Sequence, residues 1–98
     1  MKTPTRAQVL RTLGEHRREM DRFGVRWLAL FGSVARDEAG PESDVDILVD
    51  LGEAPTFDQY MGLLEYLEEW LPARVDLVTT TGLRPVRPYV EQELIHVP

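Results

Sequence analysis

Apolar and polar positions divide this chain into segments of helical and strand period. Val9, Leu13, Met20 and Phe23 recur at helical spacing, while Arg11, Glu15, Arg18, Glu19 and Arg22 fall on the opposite side. That pattern predicts an amphipathic helix over residues 4–23, lying on a core. Thr3 stands where an N-cap belongs, Pro4 at the first helical position and Gly24 at the stop. Residues 25–31 read as a strand with both faces largely apolar, hence a central one. Residues 33–36 can form a turn of helix. Residues 37–42 form a loop punctuated by Gly40-Pro41. The second strand spans residues 44–51. Its alternation puts Asp44, Asp46, Leu48 and Asp50 on one face and Val45, Ile47, Val49 and Leu51 on the other.

After a turn at residues 52–55, Thr56 can cap a helix over 56–71. Its main apolar stripe is Phe57, Tyr60, Met61, Leu64, Leu67 and Leu71, with Leu63, Tyr66 and Trp70 as a second stripe. Pro72 ends it. Residues 74–79 read as the third strand, with Val75 and Leu77 on one face and Asp76 on the other. In the tail, Pro85 and Pro88 cannot sit deep in a helix, so a last helix is expected to start near one of them and run to about Ile95, with Val86, Val90 and Leu94 as its stripe. The order is helix, strand, short helix, strand, helix, strand, helix. It predicts a single α/β (α+β) domain over residues 1–98: a small mixed sheet of three to four strands with helices mainly on one face.

Composition narrows the function classes. A chain of 98 residues that is 43% hydrophobic and 29% charged is ordinary for one globular domain. No apolar run approaches the ~18 residues of a membrane span. The charged N-terminal stretch has no apolar core of the signal-peptide kind. Cysteine is absent, which removes disulfides and thiolate metal sites and fits a cytoplasmic protein. The net charge of −6 argues against a long nucleic acid as the main ligand, since such binders show a basic face. A nucleotide or a protein is the expected partner, and neither a membrane nor a long nucleic acid.

The chemistry concentrates between Trp27 and Leu51. Gly32-Ser33 follows an apolar run directly. Glycine permits a sharp turn and close backbone approach, and a serine opening a helical turn sits where free N–H groups favour phosphate. Asp44 and Asp46 share one strand face, roughly 6.5–7 Å apart along the backbone, and can converge on one or two hard cations. Two ions in a phosphoryl-transfer site stand about 3.5–4 Å apart, which such a pair can span. Asp50 lies roughly 13 Å beyond Asp46 on the same face, too far to share the ions. A third ligand is expected, and Asp76 is the best placed. A carboxylate within an apolar strand costs free energy unless it is paired or binds a metal; a salt bridge to Arg74 is the competing explanation.

The segment LFGSVARDEAGPESDVDILVDL resembles the active-site region of the minimal nucleotidyltransferase family, within the DNA polymerase β-like nucleotidyltransferase superfamily. Arg36 in GSVAR, Ser43 in SDVD and Asp76 in RVDLVT match the family wording, and the likeness runs over essentially the whole chain. The resemblance implies transfer of a nucleoside monophosphate, often AMP from ATP, with release of pyrophosphate. By similarity, Gly32 and Ser33 would hold the β/γ phosphates, with Arg36 and Ser43 as further nucleotide contacts. Asp44 and Asp46 would bind two Mg2+ ions, and Asp76 would bind the second ion and help deprotonate the attacking hydroxyl. Arg36 reads equally as a solvated helix residue.

The chain has no room for the second domain that presents the acceptor in larger nucleotidyltransferases, so the acceptor is expected on another molecule. Minimal nucleotidyltransferases of this kind are commonly paired with a HEPN-type RNase toxin that they neutralise as antitoxin, in some pairs by adenylylating a tyrosine, which implies a hetero-oligomer. Two alternatives are a binding module that neutralises by occlusion with little catalysis, and an enzyme acting on a small molecule. Leu63, Tyr66 and Trp70 read either as a partner surface or as packing between sheet and first helix. His16 and His96 read as surface or helix-end residues, and Tyr60, Tyr66 and Tyr89 as structural.

Overall fold

The computed structural model describes residues 3–82 and 94–98. In it, α1 (Arg6–Glu15) and α2 (Arg17–Asp21) lead into β1 (Trp27–Phe31), the single-turn α3 (Gly32–Ala35), β2 (Val45–Asp50), α4 (Phe57–Trp70), β3 (Val75–Thr79) and β4 (Ile95–His96). The strands form one mixed sheet in the order β3-β2-β1-β4. β1 pairs antiparallel with β2 and β4, whereas β2 and β3 are parallel and joined through α4.

Strand alternation assigns the two faces. Leu28 and Leu30 of β1, Val45, Ile47 and Val49 of β2, and Val75 and Leu77 of β3 share one face and pack with Val9, Leu13, Met20, Leu63 and Leu67 of the helices. The described helices therefore cover one face, as the pattern predicts. The other face carries three rows: Phe31, Asp46 and Asp76; Ala29, Leu48 and Val78; and Trp27 with Asp50. The middle row is buried, which leaves aspartates only at the two ends.

The expected helix over 4–23 is two helices. The chain breaks at His16, whose φ of −105° and ψ of 19° leave the helical region and whose ring stacks flat on Trp70, 4.0 Å away and within 3° of parallel. A tertiary stack outweighs the local period. The cap is Thr5 rather than Thr3: Thr5 Oγ1 accepts the Gln8 N–H at 3.2 Å, leaving Pro4 before the helix.

α4 is capped as read, by a capping box in which Thr56 and Gln59 bond reciprocally. Its face is rotated from expectation. Leu63 and Leu67 are fully buried, whereas Phe57, expected in the main stripe, is 66% exposed. Leu63 is therefore core, not surface. Trp70 packs against the core and on His16, and Tyr66 stands outside in a row of rings from Phe23 to Trp70.

At the C-terminal end, Ile95 is not the end of a helix. Ile95 and His96 pair with Leu30 and Ala29, and the Val97 N–H donates to the Leu28 carbonyl at 2.9 Å. The open edge of β1 recruits them. His96 is accordingly an exposed strand residue. Pro85, Pro88 and the rest of residues 83–93, on which most of the expected last helix falls, lie outside the described residues.

Candidate active site

The site grows from the place where β1 stops. Gly32 has φ +71°, a left-handed conformation that disfavours any side chain. Space forbids one as well. A Cβ built on Gly32 would collide with the Asp46 carboxylate, whose Oδ2 lies well inside contact distance and whose Cγ is 3.0 Å away. The Gly32-Ser33 backbone and the Asp46 carboxylate are thus in direct apposition. Glycine serves both requirements, the turn and the close approach.

Asp46 and Asp76 are register partners on parallel strands, about 4.8 Å apart at the backbone, and their side chains are hydrogen-bonded. The Asp46 carboxyl is pushed from its ordinary 3.8 up to about 6. Burial contributes most, followed by the charge of Asp76, the charge of Asp44 and the hydrogen bond to Asp76; Arg36 opposes the rise. Burial beside carboxylates of the same charge disfavours the ionised form of Asp46, because little water is there to screen the repulsion.

α4 fixes Asp76 from behind. Glu68 Oε2 accepts the Val75 N–H at 3.0 Å, and the Tyr60 hydroxyl donates to the Leu77 carbonyl at 2.6 Å. Both groups bond the strand immediately beside Asp76. The competing explanation for Asp76, a salt bridge to Arg74, does not appear among the ion pairs of the described residues.

The remaining predicted residues take varied places. Asp44 is exposed, one residue before β2, and acts on Asp46 through its charge. A groove of about 330 Å³ borders it, lined by the 41–44 and 72–74 segments. Ser33 is partly buried in the first turn of α3. Arg36 is exposed, and its Nε lies 3.2 Å from Glu38 Oε2. Ser43 Oγ accepts the Gly40 N–H at 2.8 Å, so the oxygen shapes the loop. Asp50 is apart, at the far end of β2 opposite Trp27, and its Oδ1 accepts the Gly52 N–H at 2.8 Å.

The donor set suits a hard divalent cation bound through oxygen. The upward push on the Asp46 carboxyl by Asp76 and Asp44 marks crowded negative charge that a cation would relieve. As they stand, no three acidic or imidazole groups among the described residues are drawn close enough to hold an ion. Asp46 and Asp76 already touch, and Asp44 stands outside the pair within electrostatic reach.

The sequence profile of the nucleotidyltransferase domain matches residues 13–96. The chain belongs to the minimal nucleotidyltransferase family. It is 45% identical to the protein adenylyltransferase MntA of Thermococcus cleftensis over 87% of this chain and 88% of that one. It is 39% identical to a candidate protein adenylyltransferase of Methanocaldococcus jannaschii, over 95% of this chain and 98% of the other. A solved structure of a candidate minimal nucleotidyltransferase superposes with a TM-score of 0.69 at 40% identity, covering 88% of this chain and 93% of that one. These relatives establish the class of this enzyme: it is a nucleotidyltransferase. No helix among its described residues is long and apolar enough to cross a membrane.

Sequence reasoning missed what holds this nucleotidyltransferase's site in place. Tyr60 reads as one more stripe residue, and Glu68 as one more solvated charge. Their bonds to the β3 edge depend on how α4 lies across the strand, which spacing within either segment does not specify.

Proposed function

We propose that this nucleotidyltransferase transfers AMP from ATP to a hydroxyl group of a partner protein, as the antitoxin of a HEPN-type toxin. The observation that carries the reading is the apposition of the Gly32-Ser33 turn to the Asp46–Asp76 pair. A glycine turn with its backbone open beside carboxylates of this donor type supports the reading. The relatives named as protein adenylyltransferases support a protein acceptor.

In this reading Gly32 and Ser33 bind the β and γ phosphates, the backbone approaching closely because no side chain intervenes. Asp44, Asp46 and Asp76 hold two Mg2+ ions, which would supply charge neutralisation at the transferring phosphoryl group. Asp76, fixed by Tyr60 and Glu68, keeps its carboxylate beside Asp46 and takes the proton of the attacking hydroxyl. Arg36 turns from Glu38 toward phosphate, and Ser43 orders the loop leading to Asp44. The groove beside Asp44 is where the acceptor approaches.

The test is incubation with labelled ATP, magnesium and the product of the neighbouring gene. Label appears on the partner protein, and Asp44→Asn abolishes it. Neutralisation of the partner that survives both Asp44→Asn and Asp46→Asn sinks the catalytic reading and leaves occlusion.

A further inference from the structure

We propose that Arg6 and Asp37 are positioning residues for nucleotide binding, forming a clamp through which the N-terminal helix sets the Gly32-Ser33 turn. The proposal rests on the reading of that turn as the phosphate cradle.

α3 is a single turn and cannot hold its own geometry. Isolated helical turns are unstable because nucleation fixes several residues for one hydrogen bond. What holds it lies at its C-terminal end. The Asp37 N–H donates to the Val34 carbonyl at 3.0 Å and the Glu38 N–H to the Ser33 carbonyl at 2.8 Å. This pair of bonds is a Schellman closure, and it acts on Ser33 itself. The closure needs a left-handed residue at position 37, and Asp37 has φ +60°.

Glycine is the residue such a position favours, since a Cβ makes left-handed backbone costly. Asp37 is the one non-glycine residue with positive φ among those described. Its side chain supplies what glycine would lack. Asp37 Oδ1 accepts the Arg6 N–H at 3.3 Å, at the opening of α1, where a carboxylate also complements the helix dipole. The contact is returned: Arg6 Nη1 donates to the Ala35 carbonyl at 3.1 Å. A cation thereby meets the carbonyl end of α3. Each helix end is satisfied by a group from the other, across 31 residues of chain. The backbone conformation that closes the turn and the carboxylate that anchors it to α1 belong to the same residue.

A strained residue kept only for stability would be improved by glycine. The clamp predicts a different outcome, and Asp37→Gly separates the two. The measurement is calorimetric binding of a non-hydrolysable ATP analogue with magnesium to the full chain, alongside thermal melting. Asp37→Gly should melt at or near the wild-type temperature, since it removes backbone strain, yet bind the analogue about tenfold more weakly, because the turn is no longer fixed. Arg6→Ala should weaken binding by a similar factor, while Asp37→Asn, which keeps the acceptor oxygen and tolerates the left-handed backbone, should stay within about twofold. Gly32→Ala, which puts a methyl group where the backbone must approach phosphate, checks the cradle in the same assay. If Gly32→Ala weakens binding while Asp37→Gly and Arg6→Ala bind as wild type, the clamp is wrong and the cradle stands. If Gly32→Ala also binds as wild type, the cradle reading fails and takes the clamp with it.

Discussion

β2 carries an aspartate at each end of one face, and the two have opposite circumstances. Asp50 and Asp46 are both partly buried and both stand opposite an aromatic residue of β1, Trp27 and Phe31 respectively. Asp50 accepts a backbone N–H from the turn that follows it. Asp46 faces a second carboxylate, feels a third, and has its carboxyl pushed up to about 6 by burial and by those neighbours. A carboxylate placed for the fold finds donors. One packed against its own kind under half-burial opposes folding when ionised, so its placement calls for something else to bind there.

The sharpest way to break this comparison is Asp46→Asn. Nucleotidyl transfer should fall by at least ~100-fold, the scale seen when a charge-stabilising group is removed from a transition state. The melting temperature at pH 7 should be unchanged or higher, because a source of repulsion is gone. A variant that keeps near-normal transfer, or that melts well below wild type, would show that Asp46 serves the fold as Asp50 does.

Gly32→Ala tests the same apposition from the other side. A methyl group there must push against the Asp46 carboxylate on a backbone at φ +71°. The expected cost is about 2–3 kcal/mol in stability, with transfer lowered more than tenfold. Denaturant unfolding and initial rates measure the two effects. Wild-type values for both would mean that the turn and Asp46 can separate freely.

The difference between the two aspartates was partly legible before any coordinates. Strand rise alone removed Asp50 from the site, and the period-two alternation put Asp46 on the face opposite the core. Asp76 could be nominated from an apolar strand carrying a single carboxylate. Its exact pairing with Asp46 required the register of a parallel crossover, which no local pattern encodes. Elsewhere the failures share a cause. The break at His16 is made by Trp70, the short pairing of Ile95 and His96 by the free edge of β1, and the rotation of α4 by which residues meet Leu13 and Met20 in the core. Asp37 carries no signal in the sequence, since its role depends on a backbone angle that glycine would ordinarily mark.

The proton on Asp46 gives a pH dependence of definite sign. Its folded value of about 6 lies above the ordinary 3.8, so the folded state holds a proton that the unfolded chain releases. The associated stability is full below about pH 4 and is lost as pH rises through 6. Without metal, wild-type protein should therefore lose melting temperature between pH 5 and 7.5 relative to Asp46→Asn. Magnesium should reverse this loss. Saturation at about a hundred times the dissociation constant contributes ~2.7 kcal/mol, and the rise should be larger at pH 7.5 than at pH 5, where protons compete. A magnesium shift that is equal at both pH values would place the ion away from Asp46.

The smallest effects belong to Asp50, and they complete the contrast. Asp50→Asn keeps an oxygen to accept the Gly52 N–H, so both stability and transfer should stay near wild type. Asp50→Ala leaves that donor unpaired and should cost about 1 kcal/mol, a fall of roughly 4–8 °C in a domain of this size, again with transfer within about twofold. The informative result is the dissociation of the two readouts. Stability responds to the lost acceptor while catalysis does not, the reverse of what Asp46→Asn should show. If Asp50→Asn instead lowered transfer tenfold without moving the melting temperature, distance along the strand would be the wrong criterion. The acidic face of β2 would then act as one electrostatic unit rather than as a site at one end and a turn anchor at the other.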